Sequence, residues 1–227
     1  MKLSCLLVSH NKPQYVEKAI QSVIDQEYFD WELVIMDSGI LFDNFIRYQK
    51  DKRIRVYKSN ETPELKHRTA MAPWCFNECF RRNLVSGELV SYLCDDDVLY
   101  SNAFSTFNKW FERNPNINAI YASIDLANFS IGQDPIIYGE RRALEIGGSG
   151  GYQMDCRVDY LQLCHRKSIL NYFEGNDYWP EGRETEKHAD GVFMEKIGRI
   201  CNIYPVPIKI GQNRRTPNST YYSMHKV

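Results

Sequence analysis

Short, unbroken apolar runs alternate with stretches of helical period along the first half of the chain, and this alternation restricts it to an α/β fold. Leu3-Ser4-Cys5-Leu6-Leu7-Val8 fits a strand buried on both faces, and it stops at Ser9-His10-Asn11-Lys12-Pro13. Pro13 suits the first turn of a helix, and Tyr15, Val16, Ala19, Ile20, Val23 and Ile24 then recur at the spacing of one helical face. A second apolar run, Trp31 to Met36, ends at Asp37-Ser38-Gly39. Such a β-α-β unit carries parallel strands joined by a right-handed crossover.

The pattern continues. A helical stretch from Leu41 to Tyr48 precedes a short strand from Ile54 to Tyr57, and a polar loop runs through Pro63 to a helix from about Pro73 to Val85. Leu89 to Cys94 reads as a strand, Asn102 to Arg113 as a helix ending before Pro115, and Ile117 to Ile124 as a further strand. The second half is less regular. Helices are predicted over Asp159 to Phe173 and His188 to Ile197, and Gly147-Gly148-Ser149-Gly150-Gly151 reads as a flexible joint too short for a domain linker. At 227 residues without an internal repeat, the expectation is one α/β domain whose mostly parallel sheet is flanked by helices.

Composition narrows the function. Twenty-eight basic against 29 acidic residues give a formal charge of −1, so no global attraction draws the chain to nucleic acid or an anionic membrane. The start has too short an apolar run for a signal peptide, and no stretch approaches the roughly 18 apolar residues of a transmembrane segment, so a soluble, cytoplasmic protein is expected. The seven cysteines are odd in number and sit mostly among apolar residues, as reduced core thiols do. Cys75 and Cys79 offer half a zinc site, but no second pair follows at finger spacing.

Ligands in open α/β sheets bind beyond the carboxyl ends of the strands. Three polar clusters fall there: Ser9-His10-Asn11, Asp37-Ser38 and Asp95-Asp96-Asp97. Three adjacent carboxylates raise one another's energy unless a cation compensates, and hard oxygen ligands suit Mg²⁺ or Mn²⁺, which typically also bind phosphate oxygens. The competing use is a helix N-terminus with Asp97 as its cap. Asp37 either accepts hydrogen bonds from a base or ribose or caps a turn. Lys66, His67 and Arg68 form a basic cluster that either meets a phosphate or nucleobase or stays solvated. His188 and His225 are expected at the surface.

These residues resemble a known family. The run from Leu3 to Gly39, with Val-Ser-His-Asn-Lys-Pro and the strand closing on Met36-Asp37, is similar to the opening of family 2 glycosyltransferases of the GT-A fold. Asn77 to Asp97 resembles their acidic metal-binding motif. Further segments, among them Lys66-His67-Arg68-Thr69, Cys164 to Leu170 and Ala189-Asp190-Gly191-Val192-Phe193, resemble members that build spore-coat polysaccharide, in the same order. The resemblance implies a nucleoside held by Ser9, His10 and Asp37, a base or diphosphate met by Arg68, a ribose near Asp95, and Mn²⁺ or Mg²⁺ on Asp96 or Asp97. It also implies Asp190 as the base that deprotonates an acceptor hydroxyl, where the competing use is to favour a helix dipole. The chain departs from the pattern with Cys94 where many relatives have Asp, with the added Asp97, and with His10 in place of an aromatic.

The implied activity is inverting transfer of a sugar from a UDP- or dTDP-sugar donor to a saccharide or other hydroxyl acceptor, with bacterial surface polysaccharide as the setting. Residues 1–100 would form the nucleotide-sugar half and 101–227 the acceptor half. A sugar nucleotidyltransferase would want a Gly-rich, basic phosphate loop after the first strand, and Ser9 to Pro13 is not one. An Asp-nucleophile hydrolase would need its Asp there. A nucleotide-binding module without turnover is the non-enzymatic alternative, kept open by Cys94. The ending, Tyr221 to Val227, lacks a polar tail and leaves room for a longer natural chain.

Overall fold

The apolar runs form strands where the alternation places them. In a computed structural model, which describes residues 1–130, 132–146, 157–176 and 178–217, β1 (Leu3–Ser9), β2 (Trp31–Asp37), β3 (Ile54–Lys58) and β4 (Leu89–Cys94) lie in parallel register. The Gly147–Gly151 joint, Cys156, His225 and the ending from Tyr221 lie outside those residues. The sheet order is β3-β2-β1-β4-β8-β6-β9-β5, with β7 (Ile136–Arg141) paired to β6. β6 (Ala119–Asn128) and β9 (Ile203–Arg215) run parallel, while β8 (Leu163–Arg166), β7 and the short β5 (Val98–Leu99) pair antiparallel, so parallel pairing dominates a curled mixed sheet.

Two apolar layers cover its faces. Leu3, Cys5 and Leu7 point into one core and Leu6 and Val8 into the other, the alternation a strand imposes. The first core is closed by α1 (Pro13–Ile24) through Val16, Ala19, Ile20 and Val23. The short α2 (Phe42–Phe45) continues into a 3-10 turn, Ile46–Lys50, where one longer helix was expected. After the single-turn α3 (Pro63–Lys66), α4 (Met71–Arg81) packs Cys75, Phe76 and Cys79 on the second core. It ends before Asn83, which takes a left-handed φ of 52°. α5 (Ala103–Arg113) returns to the first core with Phe104, Phe107 and Phe111 on one stripe.

α6 (Ala189–Ile200) is pinned to the second core by Phe193, whose ring stacks on Trp179 at 3.9 Å between centroids and meets Tyr92 edge-on. Burying a ring of that size contributes about 1.5–3 kcal/mol, and it fixes the first turn of α6 over the end of the sheet.

The helix predicted over Asp159–Phe173 is overturned. A 3-10 turn, Tyr160–Gln162, leads into β8, and a second, Lys167–Tyr172, follows it. The reason lies in the edges: β4 and β6 both present backbone groups needing partners, and β8 satisfies both by antiparallel pairing. Leu163 and Cys164 then fall into opposite cores. β7 and β9 were likewise unforeseen. β9 contains Pro205 and Pro207, and the β6 register skips from Val206 to Lys209 so that Pro207 is left out of the ladder. Among the described residues, no helix is long and apolar enough to cross a membrane.

Candidate active site

Strand order reverses direction between β1 and β4, and the three polar clusters meet at their carboxyl ends. Asn11, at φ 57°, turns the chain out of β1, and its Oδ1 accepts the Ile40 amide at 3.0 Å. The Ser38 amide donates to the Ser9 carbonyl at 3.0 Å, and His10 Nδ1 lies 2.9 Å from Ser38 Oγ. The β1 and β2 loops are therefore one unit. Gly39 sits so close beneath it that a Cβ there would lie 2.3 Å from Asn11 Oδ1.

That unit is tied to the acidic turn. The His10 amide donates to Asp95 Oδ2 at 2.8 Å, and Lys12 Nζ stands 3.1 Å from Asp95 Oδ1 and 2.8 Å from Asp96 Oδ2. Thr216 Oγ1 is 3.4 Å from the same Asp96 oxygen. Asp97 faces elsewhere: its Oδ1 accepts the Arg214 amide at 2.8 Å and Asn213 Nδ2 at 3.5 Å. It caps no helix, since α5 starts at Ala103 with Asn102 as its N-cap.

Asp96, Asp97 and Asp190 line one cleft of about 340 Å³ together with Asp95, Lys12 and Asp159. Asp190 stands in the first turn of α6 and lines the same cleft. His188, expected at the surface, is half-buried in the cleft lining at the N-cap of the same helix. Asp159 Oδ2 accepts Asn213 Nδ2 at 2.8 Å and lies 3.6 Å from Arg141. A larger hollow of about 460 Å³ at the opposite end of the sheet, between Phe80, Val85 and Arg166, is lined by one carboxylate, Glu88.

Crowding these carboxylates together shifts them. Burial and then the neighbouring Asp96 push Asp95 up to about 6, against the pull of Lys12 and the His10 amide. Burial, with Asp96 and Asp159, raises Asp97 well above the carboxylate range. Burial and Asp159 do the same to Asp190, opposed by Arg141 and the Tyr160 amide.

The donor set fits a hard divalent cation. Ligand atoms of Cys94, Asp95 and Asp96 lie within 4.8 Å of one another. Of these, the carboxylate oxygens of Asp95 and Asp96 are the hard donors that Mg²⁺ or Mn²⁺ prefers, while the Cys94 sulfur is a soft one. Asp97 stands outside that group.

The other expected residues separate. Asp37 is buried, its Oδ2 accepts the Leu41 amide at 3.1 Å, and the Ser9 hydroxyl bonds to the same carboxylate. The turn-capping use of Asp37 is thus realised. Arg68 is exposed and outside the cleft lining, with its carbonyl accepting the Arg183 amide at 2.8 Å. Lys12, Asp159 and Arg141 also line the cleft and were not among the expected residues. Lys12 alone had a signal, its place in the loop after β1.

A curled mixed sheet with its crevice at the switch point and an acidic turn after β4 is the architecture of GT-A glycosyltransferases. The sequence model of glycosyl transferase family 2 matches residues 4–173, and the chain belongs to that family. It is similar to CgeD of Bacillus subtilis strain 168, 28% identical over 223 residues, which are 96% of this chain and 51% of CgeD. An uncharacterised glycosyltransferase of Rickettsia bellii is 25% identical over 173 residues, 72% of this chain and 21% of that protein. The chain thus spans about half the length of CgeD and a fifth of the Rickettsia protein. Among solved structures, residues 1–349 of S. aureus TarS in complex with UDP-GlcNAc match with a TM-score of 0.69 at 13% identity, covering 100% of this chain and 62% of that one. The mannosyltransferase PcManGT of Pyrobaculum calidifontis, in complex with GDP-Man and Mn²⁺, matches with a TM-score of 0.58 at 14% identity, over 98% of this chain and 59% of that one.

Proposed function

We propose that the chain is an inverting, metal-assisted glycosyltransferase that moves a sugar from a nucleoside-diphosphate sugar, UDP- or dTDP-linked, to a hydroxyl of a saccharide acceptor in bacterial surface polysaccharide. The observation that carries this reading is the cleft itself. Asp95, Asp96 and Asp190 line the same cleft, and the acidic turn lies at the switch point of a family 2 fold. The half up to about residue 100 would take the nucleotide, through the Ser9–Asn11 loop and the Asp37 turn, with Asp95 toward the ribose. The remainder would shape the acceptor side.

In this reaction the acceptor hydroxyl gives its proton to the Asp190 carboxylate as its oxygen bonds to the anomeric carbon. The bond from that carbon to the diphosphate breaks with inversion, and the diphosphate leaves with the electron pair. A carboxylate whose proton affinity is raised by burial and by Asp159 is the stronger base when ionised. A divalent cation held by Asp95 and Asp96 would supply charge neutralisation for the diphosphate. Arg68, exposed between α3 and α4, would meet the base or diphosphate.

Calorimetric titration of the protein with UDP and dTDP, with and without Mn²⁺, tests the reading on the parent and on Asp96→Ala. Metal-dependent binding that the substitution removes is expected. Failure of the parent to bind either diphosphate under any metal condition would sink the proposal. Binding without sugar hydrolysis or transfer would favour a module that has lost turnover.

A further inference from the structure

Lys12 occupies an unusual position for a lysine. Its ammonium lies within hydrogen-bond distance of two buried carboxylates, Asp95 at 3.1 Å and Asp96 at 2.8 Å, and both belong to the group of ligand atoms that lie within 4.8 Å of one another. The side chain is 19% exposed, so the ammonium is largely withdrawn from water.

Its placement is built in from the backbone upward. Asn11 takes the left-handed turn, its Oδ1 accepts the Ile40 amide, and it lies so close to Gly39 that a Cβ there would come within 2.3 Å of that oxygen. The Lys12 carbonyl accepts the Tyr15 and Val16 amides at 3.1 and 3.2 Å as the N-cap of α1, with Pro13 at the first helical position. The stem therefore rises from a fixed point, and its amine reaches the acidic turn across the crevice.

A compact ammonium on two carboxylates competes directly with a dication for the same oxygens. We propose that Lys12 is a tethered competitor of the divalent cation at Asp95 and Asp96, released when a nucleotide diphosphate offers the ammonium new anionic partners. Cation and diphosphate would then enter together. The inference rests on the proposed donor site and goes beyond it. It assigns an order of assembly, with weak cation binding to the free protein and strong mutual coupling between cation and nucleotide.

The test is calorimetric titration of Mn²⁺ alone, and of Mn²⁺ in the presence of UDP, into the parent, Lys12→Met and Lys12→Arg, with circular dichroism recording the fold. Lys12→Met is expected to bind Mn²⁺ alone roughly tenfold to a hundredfold more tightly than the parent, and to show a smaller gain on adding UDP. Lys12→Arg, which keeps a cation on the same stem, is expected to stay close to the parent. Equal Mn²⁺ affinity of parent and Lys12→Met would overturn the proposal. A tighter Lys12→Met with an unchanged UDP gain would overturn the release onto the diphosphate. Should the Met variant lose its fold, Lys12→Gln makes the same comparison. Titrations with Mn²⁺ alone contain no nucleotide, so they judge Lys12 separately; absence of UDP binding by the parent would instead refute the donor reading.

Discussion

Replacing His165 with Gln should flatten the acid side of the stability profile. His165 is fully buried in β8, with Nε2 2.7 Å from the Tyr92 hydroxyl and Nδ1 2.9 Å from the Arg166 carbonyl. A carbonyl only accepts, so Nδ1 carries the ring proton and Nε2 takes the Tyr92 O–H. A second proton would go onto a ring enclosed by Tyr92 and Phe193. Burial therefore depresses His165 from 6.5 to about 4, with the Arg166 carbonyl pulling weakly the other way. Between those values the unfolded chain binds the proton and the folded chain does not, so stability falls as pH falls. The full displacement is worth roughly 3 kcal/mol, most of it gone by about pH 4.5. The cleft carboxylates, raised by burial, act with the opposite sign, but they do so equally in parent and variant. Gln keeps an acceptor for Tyr92 and does not titrate. Urea unfolding of both proteins at pH 7 and 4.5 is the assay, and the parent should lose about 2–3 kcal/mol more than the variant over that interval. Parallel losses would refute the reasoning, placing the acid sensitivity elsewhere.

Three further outcomes follow from the same geometry. Burial raises Glu32, but bonds from Ser4, Ser86 and Lys2 outweigh it and hold the carboxyl down to about 2, so its contribution is present above pH 4.5 and lost as pH falls toward 2. Glu32→Gln should cost roughly 3 kcal/mol by urea unfolding at pH 7, and a cost below about 1 kcal/mol would show the bonds to be replaceable. Gly39→Ala sets a Cβ 2.3 Å from Asn11 Oδ1 and 2.9 Å from its amide nitrogen, and should lower stability by about 1–3 kcal/mol and weaken UDP binding; an unchanged melting temperature would contradict the clamped loop. Asp190→Asn should cut transfer by roughly 10²–10⁴ while UDP and Mn²⁺ still bind. In the parent, transfer should fall as pH drops through a value above the ordinary carboxylate range, and Asp159→Asn should move that limb down, because burial first and Asp159 second raise Asp190. A limb that ignores Asp159 would remove it from the acid–base pair.

The first half of the fold was legible because its strands are buried on both faces. Leu3 to Val8, Trp31 to Met36 and Leu89 to Cys94 are apolar apart from the buried Ser4, Glu32 and Ser91, so the runs show in the sequence and the observed strands extend them by at most one residue. Parallel strands also carry their loops to one end, which is why Ser9, Asp37 and Asp95 could be grouped before any coordinates. That Asp97 lies apart from the Cys94, Asp95 and Asp96 group was not legible, because it accepts the amide of Arg214, a residue on a strand the sequence did not announce.

That strand explains most of what was hidden. β9 carries Pro205, Pro207, Lys209, Arg214 and Arg215, a composition that argues against a strand wherever every residue must pair or be buried. It forms because β6 offers a long parallel edge and because the register skips Pro207, so tertiary pairing overrides local preference. Once β9 is in place it delivers Asn213 to Asp159 and the Arg214 amide to Asp97, and Asp159 in turn raises Asp190. One part of the cleft is thus written locally, in an apolar run followed by Asp-Asp-Asp. Another is assembled from residues 141, 159, 190 and 213, which no spacing relates and only the closed sheet brings together.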